Sequence, residues 1–320
     1  MYRAVIIGAG RIASGYDHPQ SPHVLTHAHA LLEHPSFSLK GITDIDSVRG
    51  EKEARKWEIP FFNNTEVMLS EVKPDLVIIA TPDNTHTDLL QRVATEKPNV
   101  IICEKPVVST RKEGELLRRY FAKHPIPVII NFSRRFDPVV CRERDALVRG
   151  EYGRVISAGV IYSNGVLNNG SHAMDLARFF FGEIITAKAF CAVPDYGQKN
   201  PSIAGFATFE RCPQFSFRAG DERVYSVFEF EVFTERKYLK FVNFGVELKT
   251  QDVIPDPVFA GFRGLAEQIT HKTGFPRALT SLLDHAVAVL EGKETPRSSL
   301  DEGIKTQEAC FKLLDSLEQQ

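Results

Sequence analysis

Over its first 132 or so residues the chain alternates short aliphatic runs with longer polar stretches. The apolar runs at residues 4–7, 39–43, 76–80, 100–103 and 128–131 are short, rich in Val and Ile, and predict strands. The polar stretches between them, such as 47–57 and 86–95, suit helices. This βαβ rhythm predicts a parallel sheet with helices on both faces. The fold class expected is α/β, with a doubly wound Rossmann domain over residues 1–132.

Beyond residue 132 the pattern changes. Period-two alternation marks strands at 155–162, 204–209, 226–233 and 238–244. In Phe228-Glu229-Phe230-Glu231-Val232 one face is apolar and the other charged, as in an antiparallel sheet covered on one side. Helical segments fall at 139–148, 174–181, 278–291 and 299–318, the last opening with Ser299 and Glu302 in capping-box register. Residues 133–320 are therefore expected to form a second, α+β domain.

Composition narrows the partners. The chain has 320 residues, 43% hydrophobic and 25% charged, with 41 acidic against 39 basic side chains and a net charge of −2. No basic track suits nucleic acid, and no apolar run approaches the length of a membrane span. The sequence enters its first strand directly after Met1, and no signal peptide is expected. Five scattered cysteines without a CxxC pair suit a reduced, cytoplasmic protein. His27 and His29 stand two apart, not at the i,i+4 spacing of a helical metal pair, and no metal site is expected.

Three strings carry the candidate chemistry. Gly8-Ala9-Gly10-Arg11-Ile12-Ala13 follows the first strand directly, the arrangement that brings a dinucleotide pyrophosphate against backbone N–H groups. Pro19 and Pro22 then interrupt the helix expected there, so it should stop and resume near residue 26. Asp44 closes the second strand and is placed to accept the ribose hydroxyls of NAD; Asp46 is the better helix cap. Arg49 is the nearest arginine, which favours NAD while leaving NADP open. Thr81-Pro82 forms a corner at the end of another strand, ahead of a helix starting near His86. Glu104-Lys105-Pro106 puts a lysine at the carboxyl end of a buried strand, where ligands of open parallel sheets bind. Burial there lowers an amine's pKa and suits it to proton transfer. In the third string, Gly170-Ser171-His172-Ala173-Met174-Asp175, His172 stands near a helix N-terminus, which disfavours imidazolium.

Together these strings resemble the glucose–fructose oxidoreductase/inositol dehydrogenase/rhizopine-catabolism (Gfo/Idh/MocA) family of NAD(P)-dependent oxidoreductases. The resemblance implies a Rossmann domain followed by an open, mainly antiparallel sheet that also serves to make homodimers or homotetramers. It implies Lys105 and His172 as catalytic residues acting on a sugar-like small molecule. Cofactor contacts are expected from Gly8, Gly10, Arg11, Ile12, Asp44, Thr81, Pro82, His86, Glu104 and Asn131. Substrate contacts are expected from Arg134, Tyr162 and Asn168, and an interdomain ion pair from Arg135. Asn168 stands where many members carry an aspartate. An amide orients or hydrogen-bonds but holds no proton, so the burden of proton transfer falls on Lys105. The competing readings are NAD-assisted glycoside hydrolysis or elimination without net redox, and a dinucleotide-sensing regulator.

Overall fold

Six parallel strands organise the first part of the chain in the computed structural model, which describes residues 1–318. In chain order come β1 (Tyr2–Ile7), α1 (His27–Glu33), β2 (Phe37–Thr43), α2 (Ser47–Trp57), β3 (Phe61–Phe62), α3 (Thr65–Val72), β4 (Leu76–Ile79), α4 (His86–Thr95), β5 (Val100–Cys103), α5 (Arg111–Phe121) and β6 (Val128–Ile130). The spatial order is β3-β2-β1-β4-β5-β6, the doubly wound arrangement whose switch point lies between β1 and β4. Alternate residues of each strand enter different apolar clusters. Ala4, Ile6, Leu76, Ile78, Val100 and Ile102 face one way; Val5, Ile7, Val77, Ile79, Ile101 and Cys103 face the other. Both faces are buried, which is why these strands read as unbroken apolar runs. Helix starts follow from their caps: Asp46 accepts from the Arg49 N–H at α2, and Thr110 and Glu113 form a capping box at α5.

The second unit holds residues 137–275 and those from 306 onward. It contains α6 (Pro138–Val148), β7 (Val155–Tyr162), α7 (Gly170–Phe181), β8 (Ile184–Val193), β9 (Ser202–Phe209), β10 (Cys212–Ala219), β11 (Phe228–Thr234), β12 (Lys237–Val242), β13 (Glu247–Pro255), β14 (Arg263–Leu265) and β15 (Ile269–Lys272). Its sheet runs β14-β13-β12-β11-β7-β10-β9-β8, with β15 also on β13. All neighbours are antiparallel except β7 and β10. Phe180 and Phe181 of α7 pack on one face among Phe209, Phe215, Phe230 and Phe241, with the Phe181 and Phe230 rings stacked at 6.1 Å. Glu229 and Glu231 alternate with these aromatics and pair with Lys240 and Arg218.

The chain then returns to the first unit as α8 (Ala278–Leu290) and the opening of α9 (Leu300–Glu318). Leu279, Leu282, Leu283, Ala286 and Val289 join the cluster that holds Ala4 and Ile6. A single break after residue 132 leaves this return out. An amphipathic helix shows that it has an apolar face, not which sheet it covers.

Candidate functional site

β1 ends at Ile7, and the chain turns at Gly8 with φ +100°. A Cβ at Gly8 would lie 2.5 Å from the Ala80 carbonyl oxygen, so backbone handedness and close packing both demand glycine. At Gly10 the demand differs: the nearest atom to a Cβ there is the Ala80 oxygen at 4.0 Å. The absent side chain leaves space at the wall of a cavity of about 540 Å³. That cavity gathers Gly8, Gly10, Asp44, Thr81 and Pro82 from the expected site. It also takes in Ile45, Arg49, Asn63, Asn64, Glu66, Thr85, Leu89 and Arg92, which the sequence reading did not assign to a site. Arg11 is exposed and Ile12 packs against the apolar cluster that holds Ala13.

Asp44 is held by three neighbours. It accepts from the Ala9 N–H at 2.6 Å, the Asp46 N–H at 2.8 Å, and the Arg49 guanidinium at 2.7 and 3.2 Å. Burial alone would raise its pKa, but these donors more than offset it and hold the carboxyl below the usual carboxylate range. Arg49 lies on the cavity wall with its side chain 46% exposed, so its charge is available to solvent and ligand alike.

The ends of β4 and β5 are joined by His86. Its Nδ1 lies 2.8 Å from the Pro106 carbonyl oxygen and its Nε2 2.9 Å from that of Thr81. With both ring nitrogens engaged and the side chain buried, His86 brackets the two turns, and its expected place among the cofactor contacts is corrected. His86→Leu should remove the donor of one of the two carbonyls, whichever faces the protonated ring nitrogen, at about 1–3 kcal/mol. A melting temperature lowered by several degrees in thermal unfolding is the expected result.

Glu104 and Asn131 likewise form a buried support instead of lining the cavity. Asn131 Nδ2 donates to Glu104 Oε1 at 2.7 Å, and His27 Nε2 lies 2.8 Å from the same oxygen. Burial raises the Glu104 pKa, yet the His27 and Asn131 bonds and the Lys105 charge bring it below its ordinary value. Lys105, half-buried, is pushed the other way from a usual lysine. Burial lowers its pKa, the Glu104 and Asp83 charges oppose that, and Arg134 adds to the lowering. Arg135 pairs with Glu302 at 2.9 Å, inside the first unit.

Within the second unit, a π-helical turn (Gly165–Asn169) leads into α7, whose first turn carries the half-buried His172. Asn168 Nδ2 donates to Asn164 Oδ1 at 3.1 Å. Tyr162 is corrected as a substrate contact. It is wholly buried, its hydroxyl donates to the Ile203 carbonyl oxygen at 3.1 Å and accepts from the Ile203 N–H at 2.9 Å, and burial pushes its pKa far up. Asp175 accepts from Thr306, which in turn accepts from Arg178, an internal network of that unit.

A glycine cradle at the β1/β4 switch point, a carboxylate ending β2 and a lysine following β5 define a dinucleotide-binding α/β protein. Residues 2–132 match the model of the Gfo/Idh/MocA oxidoreductase family, with its NAD-binding Rossmann fold. An uncharacterized oxidoreductase, YrbE, of Bacillus subtilis is 27% identical over 217 residues, covering 62% of this chain and 58% of the relative. The scyllo-inositol 2-dehydrogenase (NAD(+)) of the same organism is 26% identical over 200 residues, covering 58% and 55%. The chain thus spans little more than half the length of these curated relatives. A solved oxidoreductase from Desulfitobacterium hafniense superposes with TM-score 0.82 at 15% identity, over 99% of this chain and 96% of that one, and shows the shared fold.

Proposed function

We propose that the protein is an NAD-dependent dehydrogenase acting on a hydroxyl-bearing carbon of a sugar, cyclitol or nucleotide-sugar. The observation that carries the reading is an open glycine cradle after β1 together with Lys105, a lysine of lowered pKa after β5, whose turn His86 ties to that of the intervening β4. The similarity to an inositol dehydrogenase supports the substrate class.

NAD, when bound, supplies the hydride acceptor for oxidation. Gly8 and Gly10 leave room for its pyrophosphate, and Asp44 accepts from its ribose hydroxyls. Lys105 takes the hydroxyl proton as the carbonyl forms, and returns one in reduction. Asn168 and His172 contact substrate hydroxyls; since an amide holds no proton, Lys105 carries the transfer. Arg134 serves an anionic substituent where the substrate has one. A second copy of the chain covers the open face of the larger sheet, where Phe206 and Phe233 are exposed.

Calorimetric titration with NADH and NADPH, followed by a turnover screen of inositols, aldoses and nucleotide-sugars at 340 nm, tests the reading. NADH binding with net NADH formation supports it. Product formed without net NADH points to hydrolysis or elimination, and binding without any turnover to a regulator. Absence of binding to either cofactor would end it. Asp44→Ala should weaken NADH about tenfold, the loss of a charge-assisted hydrogen bond. NADPH affinity should hold or improve, because Arg49 is released from its pair to face a 2′-phosphate. An unchanged NADH/NADPH ratio would remove Asp44 from the ribose site.

A further inference from the structure

Past the end of β7 the backbone takes two left-handed steps in succession, Asn164 at φ +75° and Gly165 at φ +74°. A Cβ at Gly165 would lie 2.6 Å from the Asn200 carbonyl oxygen, so glycine is required there twice over. The π-helical turn Gly165–Asn169 follows at once. Left-handed residues with side chains and π-helical turns are costly local choices, and they persist where the surroundings enforce them.

The enforcement is visible in the hydrogen bonds. The opening N–H groups of a helix have no partner inside it, and here each goes to another segment. The Ser163 N–H donates to the Val227 carbonyl oxygen at 3.1 Å and the Val166 N–H to that of Pro201 at 2.9 Å. The Asn164 N–H donates to Asp195 Oδ2 at 2.7 Å, the Gly165 N–H to Ser202 Oγ at 3.0 Å, and the Leu167 N–H to Asn200 Oδ1 at 2.8 Å. Four consecutive donors, residues 164–167, are thus taken by the short segment 195–202 between β8 and β9. Asp195 holds that segment together. Its Oδ2 also accepts from Ser202 Oγ at 2.9 Å and from the Glu222 N–H at 3.2 Å, and its Oδ1 from the Ser202 N–H at 3.1 Å. Glu222 in turn accepts from Ser163 Oγ at 2.6 Å. One carboxylate therefore ties the turn after β7 to the β8–β9 and β10–β11 connections.

We propose that residues 195–202 form a clasp for substrate binding, with Asp195 as its positioning residue: it fixes the left-handed step at Asn164, and so the turn that ends in Asn168 and leads to His172. The inference rests on the reading of Asn168 and His172 as substrate contacts. Asn164 serves both sides of the clasp, its N–H on Asp195 and its Oδ1 accepting from Asn168 Nδ2. Without the carboxylate, the Asn164 and Glu222 N–H groups and the Ser202 hydroxyl lose their shared acceptor. The turn then has less to hold it in a conformation that it does not favour by itself.

Two variants separate acceptor from bulk. Asp195→Leu keeps the size and removes both oxygens, whereas Asp195→Asn keeps one carbonyl oxygen for the Asn164 N–H. With scyllo-inositol as the probe, Asp195→Leu should raise KM about tenfold, with kcat and NADH affinity each within about threefold of wild type. Asp195→Asn should return KM to within about threefold, which a space-filling residue does not predict. An unmoved KM in folded Asp195→Leu, a loss carried by kcat alone, or an Asn variant as impaired as Leu overturns the proposal. A second readout needs no substrate. Labelling of His172 by diethyl pyrocarbonate, read by mass spectrometry, should run roughly three- to tenfold faster in Asp195→Leu, as should amide exchange over residues 164–167. His18 and His23, exposed on the first unit, should label as in wild type. Unchanged labelling and exchange overturn the clasp. Should Asp195→Leu fail to fold, Asn200→Ala withdraws the acceptor of Leu167 from the same turn. It is expected to raise KM and His172 labelling in the same direction, and no change in either overturns the proposal. Failure of wild type to turn over any substrate with NAD would reject the dehydrogenase reading, while labelling and exchange decide the clasp separately.

Discussion

Lys105→Ala is expected to lower kcat/KM by about a thousandfold or more while NADH affinity stays within about threefold. The separation follows from position. The cavity assigned to the dinucleotide is walled by the ends of β1, β2 and β4, whereas Lys105 stands past the end of β5. The residue's environment also sets a sign for pH. Burial holds its pKa below that of an ordinary lysine, so the neutral amine needed to accept a hydroxyl proton is present at lower pH. Substrate oxidation should accordingly reach its plateau below the pH an exposed lysine would require. The carbonyl-reduction direction, which needs the ammonium, should decline over the same interval. Lys105→Arg should not restore the rate, since a guanidinium stays protonated throughout. Loss of NADH binding in Lys105→Ala would instead assign the lysine to the cofactor.

The second large effect is expected at the glycine turn, where the two glycines should fail differently. Gly8→Ala places a side chain on a residue at φ +100° and drives its Cβ to 2.5 Å from the Ala80 carbonyl. Left-handed strain alone costs about 1–3 kcal/mol, and the overlap forces β1 away from β4, which pair in register from Ala4–Leu76 to Ile7–Ile79. Both the melting temperature and NADH affinity should fall. Gly10→Ala meets nothing nearer than 4.0 Å, so the fold should hold while the added methyl occupies cavity wall and weakens NADH alone. Thermal unfolding and calorimetry on the two variants separate these outcomes. A Gly8→Ala protein melting with wild type would mean that the strand ends yield and the close-packing argument fails.

Where a residue's neighbours lie along the chain, its structure was legible early. The strand runs at 4–7, 76–80 and 100–103 became β1, β4 and β5, and the helices expected at 47–57 and 86–95 became α2 and α4 at those bounds. The break after the glycine turn was readable from Pro19 and Pro22. β3 went unread because two phenylalanines carry no period. β8 and β10 were missed because a mixed polar strand in a half-exposed sheet lacks a clean alternation. Of the cofactor residues expected, Gly8, Gly10, Asp44, Thr81 and Pro82, beyond the ends of β1, β2 and β4, came together in one cavity, while Glu104 and Asn131, just past β5 and β6, did not join it. Tyr162, also at a strand end, faced the other way into the core, since one step along a strand reverses the side chain.

By itself, the sequence determined the α/β class, the glycine cradle, the carboxylate ending β2 and the lysine ending β5. Each of these is a local matter of which residue follows an apolar run, and backbone sterics act over only a few positions. Only the tertiary structure decided what stands behind them. It brought Arg49 onto Asp44, His86 between the Thr81 and Pro106 carbonyls, and His27 with Asn131 onto Glu104. It also sent α8 back to the first sheet. Most of those partners are far apart in the chain and meet only when the parallel strands align their carboxyl ends. No period or spacing in the sequence records such a meeting.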